Sequence, residues 1–279
     1  MVIEPLLEHV GPFFLVFARF TGLFVFAPIL GSGVVPVRAK ALAATAMAFA
    51  VYPLAPEWSQ TPVPTDLFGL APLLISELLI GLLLGLLATL PLVALQMGGQ
   101  LMGYQMGLSL AQSYNPDFET NLDVIGQIMF LLSLSIFAAV GGLDALFLSL
   151  VNTLERVPPG GFQAGWTPVE LIVGLLGSGF ELAVRVATPV LGITLVSMMA
   201  MGFIMKSMPQ VNVLSIGFAL KILLGVFMLA FSIAAIGDAG ASWVEATLES
   251  VVRWSRSPEA SGGQGLEIIE RARASRGGG

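Results

Sequence analysis

The chain has 279 residues, of which 56% are hydrophobic and 11% charged, and its mean hydropathy is +0.90. A soluble globule of this length would need more polar surface than this composition supplies, so much of the surface must face lipid, other chains, or both. The sequence contains no cysteine, which excludes disulfides and thiolate metal sites, and its formal net charge of −6 argues against nucleic acid as a partner.

Six apolar segments predict an all-α, polytopic membrane-type protein, because each is as long, or nearly as long, as the roughly 20 residues that a helix needs to cross a bilayer. Proline or glycine interrupts segments three, four and five, so we expect kinked or broken helices arranged as hairpins. The segments are Val10 to Leu30, Ala39 to Leu54, Leu67 to Leu95, Val124 to Leu154, Leu171 to Met205 and Val213 to Ile236, and the interruptions are Pro72, Pro91, Gly141, Gly142, Pro189 and Gly192.

The composition changes near the C-terminus, where Arg, Ser, Glu and Gly replace the apolar residues. A segment with so few apolar residues cannot bury enough surface to offset the entropy of ordering it. We therefore predict one helical domain over residues 1–254 and a polar, disordered tail over residues 255–279.

The cationic residues give a contradictory topology. Arg38 and Lys40 place the first loop in the cytoplasm. Lys206 places the fifth loop there as well, and the arginines of the tail place the tail there. Six simple spans cannot satisfy all three assignments, and no Lys or Arg occurs between positions 41 and 155 to resolve them. We infer that other protein chains, rather than loop charges, hold this chain in place.

The residues indicate no enzyme. His9 is the only histidine in the sequence, which excludes two-histidine metal motifs, and we interpret it as an interfacial residue. No Gly-x-x-x-x-Gly-Lys-Ser/Thr phosphate loop occurs, so the chain should not hydrolyse nucleotide itself. We expect neither a catalytic centre nor a cofactor nor a metal.

A carboxylate lies inside the third apolar segment. Glu77, Gly81 and Gly85 follow one another at intervals of four residues and share one helix face. Small residues on such a face allow two helices to approach closely, so the carboxylate is expected to form a buried ion pair, with Arg19 or Lys221. A proton-relay role for this glutamate is the functional alternative.

A second pair of charges lies in the fifth segment. Glu181 and Arg185 are four residues apart in the order that favours an ion pair within one helix. We predict that they neutralise each other there.

The stretch from Gly98 to Asn121 combines a glycine every four residues with methionines and a polar turn. One interpretation is a tight helix contact followed by a connecting loop. The other is a flexible element that enters and blocks a channel, because glycine supplies mobility while methionine and phenylalanine supply a deformable apolar seal. The candidates for this seal are Met102, Met106, Gly107, Leu110, Tyr114, Asn115, Pro116 and Phe118.

Segments five and six should form a helical hairpin with a polar tip. Pro209 disfavours helix at the residue before it, Gln210 follows, and Asn212 can cap the next helix. Just before this tip, five of the twelve methionines fall within eleven residues, which fits either core filling or a moving seal. These five are Met198, Met199, Met201, Met205 and Met208.

Short motifs spread over about Phe13 to Val252 resemble the flagellar biosynthetic protein FliR family and its type III secretion relatives. Their order and spacing agree with that family, although Ala219 stands where proline is usual and Lys206 where arginine is usual. The motifs are Arg19-Phe-Thr-Gly22, Pro36-Val-Arg38, Glu77 with Gly81 and Gly85, Gly103-Tyr-Gln-Met-Gly107 leading to Asn115-Pro116, Ala187-Thr-Pro-Val190, Gly202-Phe-Ile-Met-Lys206, Met208-Pro-Gln-Val-Asn212 and Gly217-Phe-Ala-Leu-Lys221-Ile.

The resemblance implies a non-enzymatic subunit of the flagellar type III export gate, in the bacterial inner membrane within the flagellar basal body. Its implied partners are FliP-like, FliQ-like and FlhB-like subunits, membrane lipid, and unfolded proteins in transit. The family's channel-blocking loop corresponds to about Gly107 to Asn121. The alternatives are the equivalent subunit of a virulence-type injectisome and a small-solute secondary transporter, which an internal inverted repeat would indicate.

Overall fold

The computed structural model describes residues 3–31, 35–54, 64, 67–108, 123–161, 169–207 and 213–256. Across these ranges the chain forms seven α-helices and one short 3-10 helix and has no strand, which confirms the predicted all-α fold class. The helices are α1 (Ile3–Phe26), α2 (Val37–Val51), the 3-10 helix (Tyr52–Leu54), α3 (Leu67–Met106), α4 (Val124–Ala139), α5 (Gly142–Arg156), α6 (Val169–Ser207) and α7 (Val213–Arg256).

Two helices extend more than ten residues past the C-terminal ends of their apolar segments. α3 has 40 residues and includes most of the glycine row that follows the third segment. α7 has 44 residues and continues 20 positions past Ile236, because Val244, Leu248 and Val251 keep a buried apolar row at helical spacing. The chain beyond 256, which is most of the predicted tail, lies outside the described residues.

Only one of the three interrupted segments is divided within the described ranges. α4 and α5 replace the fourth segment and meet at a bend of 64°, where Gly141 has φ 78°. A positive φ is open to glycine at little cost, so this pair can turn where another residue would be strained. α3 and α6 continue through their prolines, which are Pro72 and Pro91 in α3 and Pro189 in α6.

The chain divides into two compact units. Unit 1 comprises Met1–Thr89, Gly141–Ile172 and Ala246–Gly279, and unit 2 comprises Leu90–Val140 and Val173–Glu245. The buried side chains of unit 1 include Leu15, Phe20 and the charged Arg19, whereas the core of unit 2 is an apolar cluster with no charged member. That cluster is Ala94, Leu95, Met102, Met106, Ile125, Met129, Leu182, Val186, Ala187, Val190, Leu229 and Ile236.

Four of the described helices, α1, α3, α6 and α7, are long and apolar enough to cross a membrane, and α4 with α5 provides a fifth if the bent pair is one span. The chain is therefore a multi-pass membrane protein. The spans differ in how much of them this chain covers: 56% of the most apolar window of α3 is buried, against 22% in α6 and in α7. The outer faces of α6 and α7 are thus largely uncovered by the chain itself.

Candidate functional site

A fully buried ion pair joins α1 to α3 in unit 1. Nε of Arg19 donates to Oε2 of Glu77 across 2.5 Å, and both side chains have an exposed fraction of 0%. Of the two cations proposed as partners for this carboxylate, the structure thus brings Arg19 to it.

The pair forms because α1 and α3 approach each other backbone to backbone. A Cβ added at Gly81 would collide with the carbonyl oxygen of Arg19, and one at Gly85 would lie 2.8 Å from the carbonyl oxygen of Leu23. On the other helix, Gly22 meets the backbone of Leu78 in the same way. Glycine on both helices therefore permits the two backbones to approach more closely than any residue with a side chain would allow.

The remaining polar atoms of the pair bond to the end of α5 and the turn after it. Nη1 of Arg19 donates to Oγ1 of Thr153 across 3.4 Å, and Nη2 donates to the carbonyl oxygen of Val157 across 3.2 Å. The backbone N–H of Gly160 donates to Oε1 of Glu77 across 2.9 Å. Three sequence-distant pieces of chain thus meet at one charged centre.

Sequence reasoning missed the α5 side of this junction. The sequence Pro158-Pro-Gly-Gly161 does indicate a tight turn after α5, and Gly160 adopts φ 83° there, a conformation that only glycine adopts freely. Thr153 carried none, because nothing in its neighbourhood distinguishes it from the other hydroxyl residues in apolar helices.

The geometry of this junction is that of a structural centre. Both carboxylate oxygens of Glu77 accept hydrogen bonds from protein groups, and Arg19 donates to three such groups. A buried charge pair is tolerated when its lone pairs and protons are satisfied in this way. A proton relay would need a path to water, whereas both side chains here are wholly covered by protein.

A second candidate region lies at the C-terminal end of α3 in unit 2. Met102 and Met106 have exposed fractions of 0% and belong to the apolar core of that unit. A Cβ added at Gly225 on α7 would lie 2.6 to 2.9 Å from side-chain atoms of Met106, so the absent side chain makes room for the thioether. Earlier in the glycine row, Gly99 meets the backbone at Gly126, which is a tight helix contact such as the first interpretation of this stretch expects.

α3 ends on a glycine in the left-handed conformation. Gly107 has φ 84°, its N–H donates to the carbonyl oxygen of Tyr104 across 3.0 Å, and that of Leu108 donates to Gly103 across 3.1 Å. This pair of hydrogen bonds is the Schellman arrangement, which ends a helix and redirects the chain. A Cβ at Gly107 would also meet the ring of Phe218, at 2.8 Å.

Several predicted site residues lie outside the described ranges, and others stand apart from the two regions above. Lys206 is exposed and Lys221 half-buried, and neither makes an ion pair with any described residue. Of the clustered methionines, Met208 lies outside the described residues. Met201 is buried whereas Met198, Met199 and Met205 are exposed, so among these four core filling explains only Met201. The candidates outside the described ranges are Leu110, Tyr114, Asn115, Pro116, Phe118, Pro209, Gln210 and Asn212.

The predicted neutralisation of Glu181 by Arg185 was wrong. Both side chains are exposed, and across the described chain the two ion pairs are Arg19 with Glu77 and Arg253 with Glu249. An exposed pair four residues apart contributes only about 0.2–0.5 kcal/mol, too little to fix two long side chains in one rotamer each.

Comparison with known proteins assigns the family. The model for bacterial export proteins, family 1, matches residues 10–246. The flagellar biosynthetic protein FliR of Caulobacter vibrioides is 30% identical over 226 residues, which cover 80% of this chain and 88% of that protein. FliR of Escherichia coli is 29% identical over 227 residues, covering 81% and 86%, and FliR of Aquifex aeolicus is 28% identical over 215 residues, covering 77% and 81%. The resemblance read from the motifs is confirmed, and the chain belongs to the bacterial export proteins, family 1, as a member of the FliR family.

Proposed function

We propose that this chain is a non-enzymatic subunit of the flagellar type III protein export gate, where it helps to form and seal the channel for unfolded flagellar proteins. The match of the export-family model over residues 10–246 carries the proposal. The relatives named flagellar biosynthetic protein favour the flagellar branch over an injectisome or a solute transporter. Its place would be the bacterial inner membrane, within the basal body.

The proposed partners are FliP-like, FliQ-like and FlhB-like subunits. The support is the uncovered surface of α6 and α7, of which only 22% of the most apolar window is buried in each helix. Phe203 and Phe231 have exposed fractions of 73% and 78%. Apolar surface of this extent must be covered by lipid or by other subunits.

The seal is proposed to be the stretch that begins at Gly107, and α3 is proposed to anchor it. Met102 and Met106 are buried in the core of unit 2. In this proposal they therefore anchor the helix that precedes the seal, and they are not part of the surface that closes the channel. Gly107 ends the anchored helix with a positive φ, which lets the following chain leave in a new direction. The residues after it supply the apolar and polar groups of the seal.

A deletion tests the two parts of this proposal separately. Replacing residues 110–118 with a Gly-Ser linker keeps the anchor and removes the proposed seal. We expect the variant to co-purify with the FliP-like and FliQ-like proteins of the same bacterium in wild-type amounts. The purified complex should then conduct small ions across a planar bilayer under conditions in which the wild-type complex is closed.

Removal of residues 257–279 is the control, and it should leave both assembly and conductance unchanged. A closed complex after the linker replacement contradicts the sealing role alone. A wild-type chain that co-purifies with neither partner protein contradicts the export-gate assignment itself.

A further inference from the structure

An open apolar groove lies between α1 and α3 in unit 1. Its volume is about 310 Å³, and two of its lining side chains, Phe14 and Ile75, have exposed fractions of 47% and 58%. The α1 part of the lining falls in the middle of the span His9–Phe26, which is the depth of the lipid acyl chains. The walls are formed mainly by Phe14, Phe17 and Thr21 of α1 and by Leu74, Ile75 and Leu78 of α3.

The groove offers a ligand neither a charge nor a hydrogen-bond donor. Thr21 is the one polar residue in its lining, and Oγ1 of Thr21 already donates to the carbonyl oxygen of Phe17 across 2.8 Å. Arg19 and Glu77 belong to the same two helices, but both have an exposed fraction of 0% and pair with each other. A ligand in this groove must therefore be apolar over the length that the groove covers.

Two cations lie beyond the Thr21 end of the groove. α1 ends about 8 Å further along, at Phe26, by the rise of a helix. Nζ of Lys40 donates to the carbonyl oxygen of Gly31 across 3.0 Å, which holds the first turn of α2 against the chain that leaves α1. Arg38 in the same turn is exposed, and neither cation forms an ion pair with any residue that the structure describes. The first turn of α2 contains no acidic residue.

We propose that the groove and these two cations form a binding site for an anionic phospholipid. One acyl chain lies in the groove along α1, and the phosphate of the headgroup pairs with Arg38 and Lys40. The order of the parts agrees with this, because the groove covers about 10 Å of α1 from Phe14 to Thr21 and the cations follow its Thr21 end. The site is independent of the proposed function.

Charge complementarity selects the class of lipid. An anionic headgroup brings a net negative charge to two cations that lack a counter-charge, whereas a zwitterionic headgroup carries its own cation beside the phosphate. Basic side chains at the end of a membrane-spanning helix attract anionic lipid in this way. The position also matters, since no other Lys or Arg occurs from residue 41 to residue 155.

A helix of another protein fits the groove less well than an acyl chain. The volume spread over a length of about 10 Å gives a mean cross-section of roughly 30 Å². A helix with its side chains is about 10–12 Å across and needs more than twice that cross-section. The groove is thus wide enough for a single flexible chain.

Lipid titration of the purified chain tests the site. The full chain in mild detergent is titrated with two lipids that share palmitoyl and oleoyl chains, phosphatidylglycerol and phosphatidylcholine, and native mass spectrometry counts the bound lipids. Each cation beside an anionic headgroup contributes a factor of about five in affinity, so phosphatidylglycerol should bind at least about tenfold more tightly. Equal affinity for the two lipids would overturn the proposal.

Removal of the cations should abolish this preference. Arg38→Gln/Lys40→Gln should weaken phosphatidylglycerol binding at least about tenfold and leave phosphatidylcholine binding within about twofold of the wild type. The matched control is Arg253→Gln/Arg256→Gln, which removes the same number of cations from the last turn of α7, where both are exposed. An equal loss in the control would show that net charge alone attracts the lipid, and the proposed site would be wrong.

Filling the groove tests the acyl-chain part of the site. Thr21→Phe should weaken binding of both lipids at least about fivefold, because displacing little more than one buried methylene costs that much. The control is Thr45→Phe on α2, since Oγ1 of Thr45 donates to the carbonyl oxygen of Ala41 at the same 2.8 Å and its side chain is also partly exposed. If both variants bind lipid alike, no acyl chain lies in the groove.

The complex with the co-expressed FliP-like and FliQ-like proteins distinguishes a lipid from a protein occupant. Phosphatidylglycerol should remain bound in the complex with the same dependence on Arg38 and Lys40. Its loss on assembly would mean that another subunit fills the groove, which contradicts the proposal. A chain that binds phosphatidylglycerol as expected but co-purifies with neither protein contradicts only the proposed function.

Discussion

Unit 1 and unit 2 stabilise their interiors by different means. Unit 1 buries a charged pair, Arg19 and Glu77, whose remaining hydrogen-bonding groups bond to the end of α5 and the turn after it. Unit 2 buries methionine and aliphatic side chains with no charge among them. A charge network permits one arrangement, because any other leaves a buried charge unpaired, whereas an apolar core with methionine can repack.

Glycine contacts of two kinds occur in the molecule, and unit 2 has both, since Gly99 in that unit also meets the backbone, at Gly126. In unit 1, Gly22 and Gly81 meet backbone atoms of the facing helix, which cannot move aside. In unit 2, Gly225 meets the side chain of Met106, which has three rotatable bonds. The difference between these contacts teaches which helix contacts are fixed by backbone atoms and which one can adjust by rotation of a side chain.

Breaking the charge pair should have the largest effect. Replacing Glu77 with glutamine leaves Arg19 buried without a counter-charge, and we expect a loss of about 3–5 kcal/mol of unfolding free energy. Recovery of monodisperse protein and its unfolding midpoint in detergent measure the loss. The double variant Arg19→Met/Glu77→Leu is the control, since removing both charges should cost much less than removing one.

If the single glutamine variant is as stable as the wild type, unit 1 does not depend on the pair, and the contrast with unit 2 disappears. A double variant that is less stable than the single one would show that the pair itself contributes net stability.

Most of the fold was predictable from the sequence because apolar length and periodicity dominate in such a chain. The positions of the long helices and the division at Gly141 follow from local residues. The extension of α7 past Ile236 did not, because its last 20 residues are polar on average and only their buried row keeps them helical. Mean hydropathy does not detect such a row.

The candidate site was only half predictable. Spacing of four residues placed Glu77, Gly81 and Gly85 on one face, and a short list of cations then gave Arg19. The contacts to Thr153 and Gly160 depend on how α5 returns to the pair, which no local pattern encodes. The wrong prediction for Glu181 and Arg185 has a different cause. Their spacing favours an ion pair within the helix, but the free energy of an exposed pair is too small to fix the two side chains against each other.

The glycine contact between α1 and α3 should give the next largest effect. Replacing Gly81 with alanine sets a methyl group against the carbonyl oxygen of Arg19, which is backbone and cannot yield. We expect a loss of about 1–3 kcal/mol, or more, as the helices separate. Thermal unfolding of the purified chain in detergent measures it.

The matched control is Gly237→Ala on α7, where an added Cβ has no atom within 4 Å. Alanine is a better helix former, so this variant should gain about 0.5–1 kcal/mol. Similar losses in both variants would mean that helix propensity or detergent binding, and not the close approach, sets the response.

The smallest effect should come from the methionine contact in unit 2, and it gives the sharpest comparison. Replacing Gly225 with alanine brings a methyl group against Met106, whose flexible side chain can rotate away, so we expect a loss of no more than about 1 kcal/mol. Shortening the methionine as well, in Gly225→Ala/Met106→Ala, removes that collision, so the two changes should cost less together than the sum of their separate costs. Unfolding midpoints of the four proteins in the cycle measure this coupling. If Gly225→Ala costs as much as Gly81→Ala, the side chain of Met106 yields no more than a backbone carbonyl does, and this contact in unit 2 is as fixed in shape as the contact between α1 and α3.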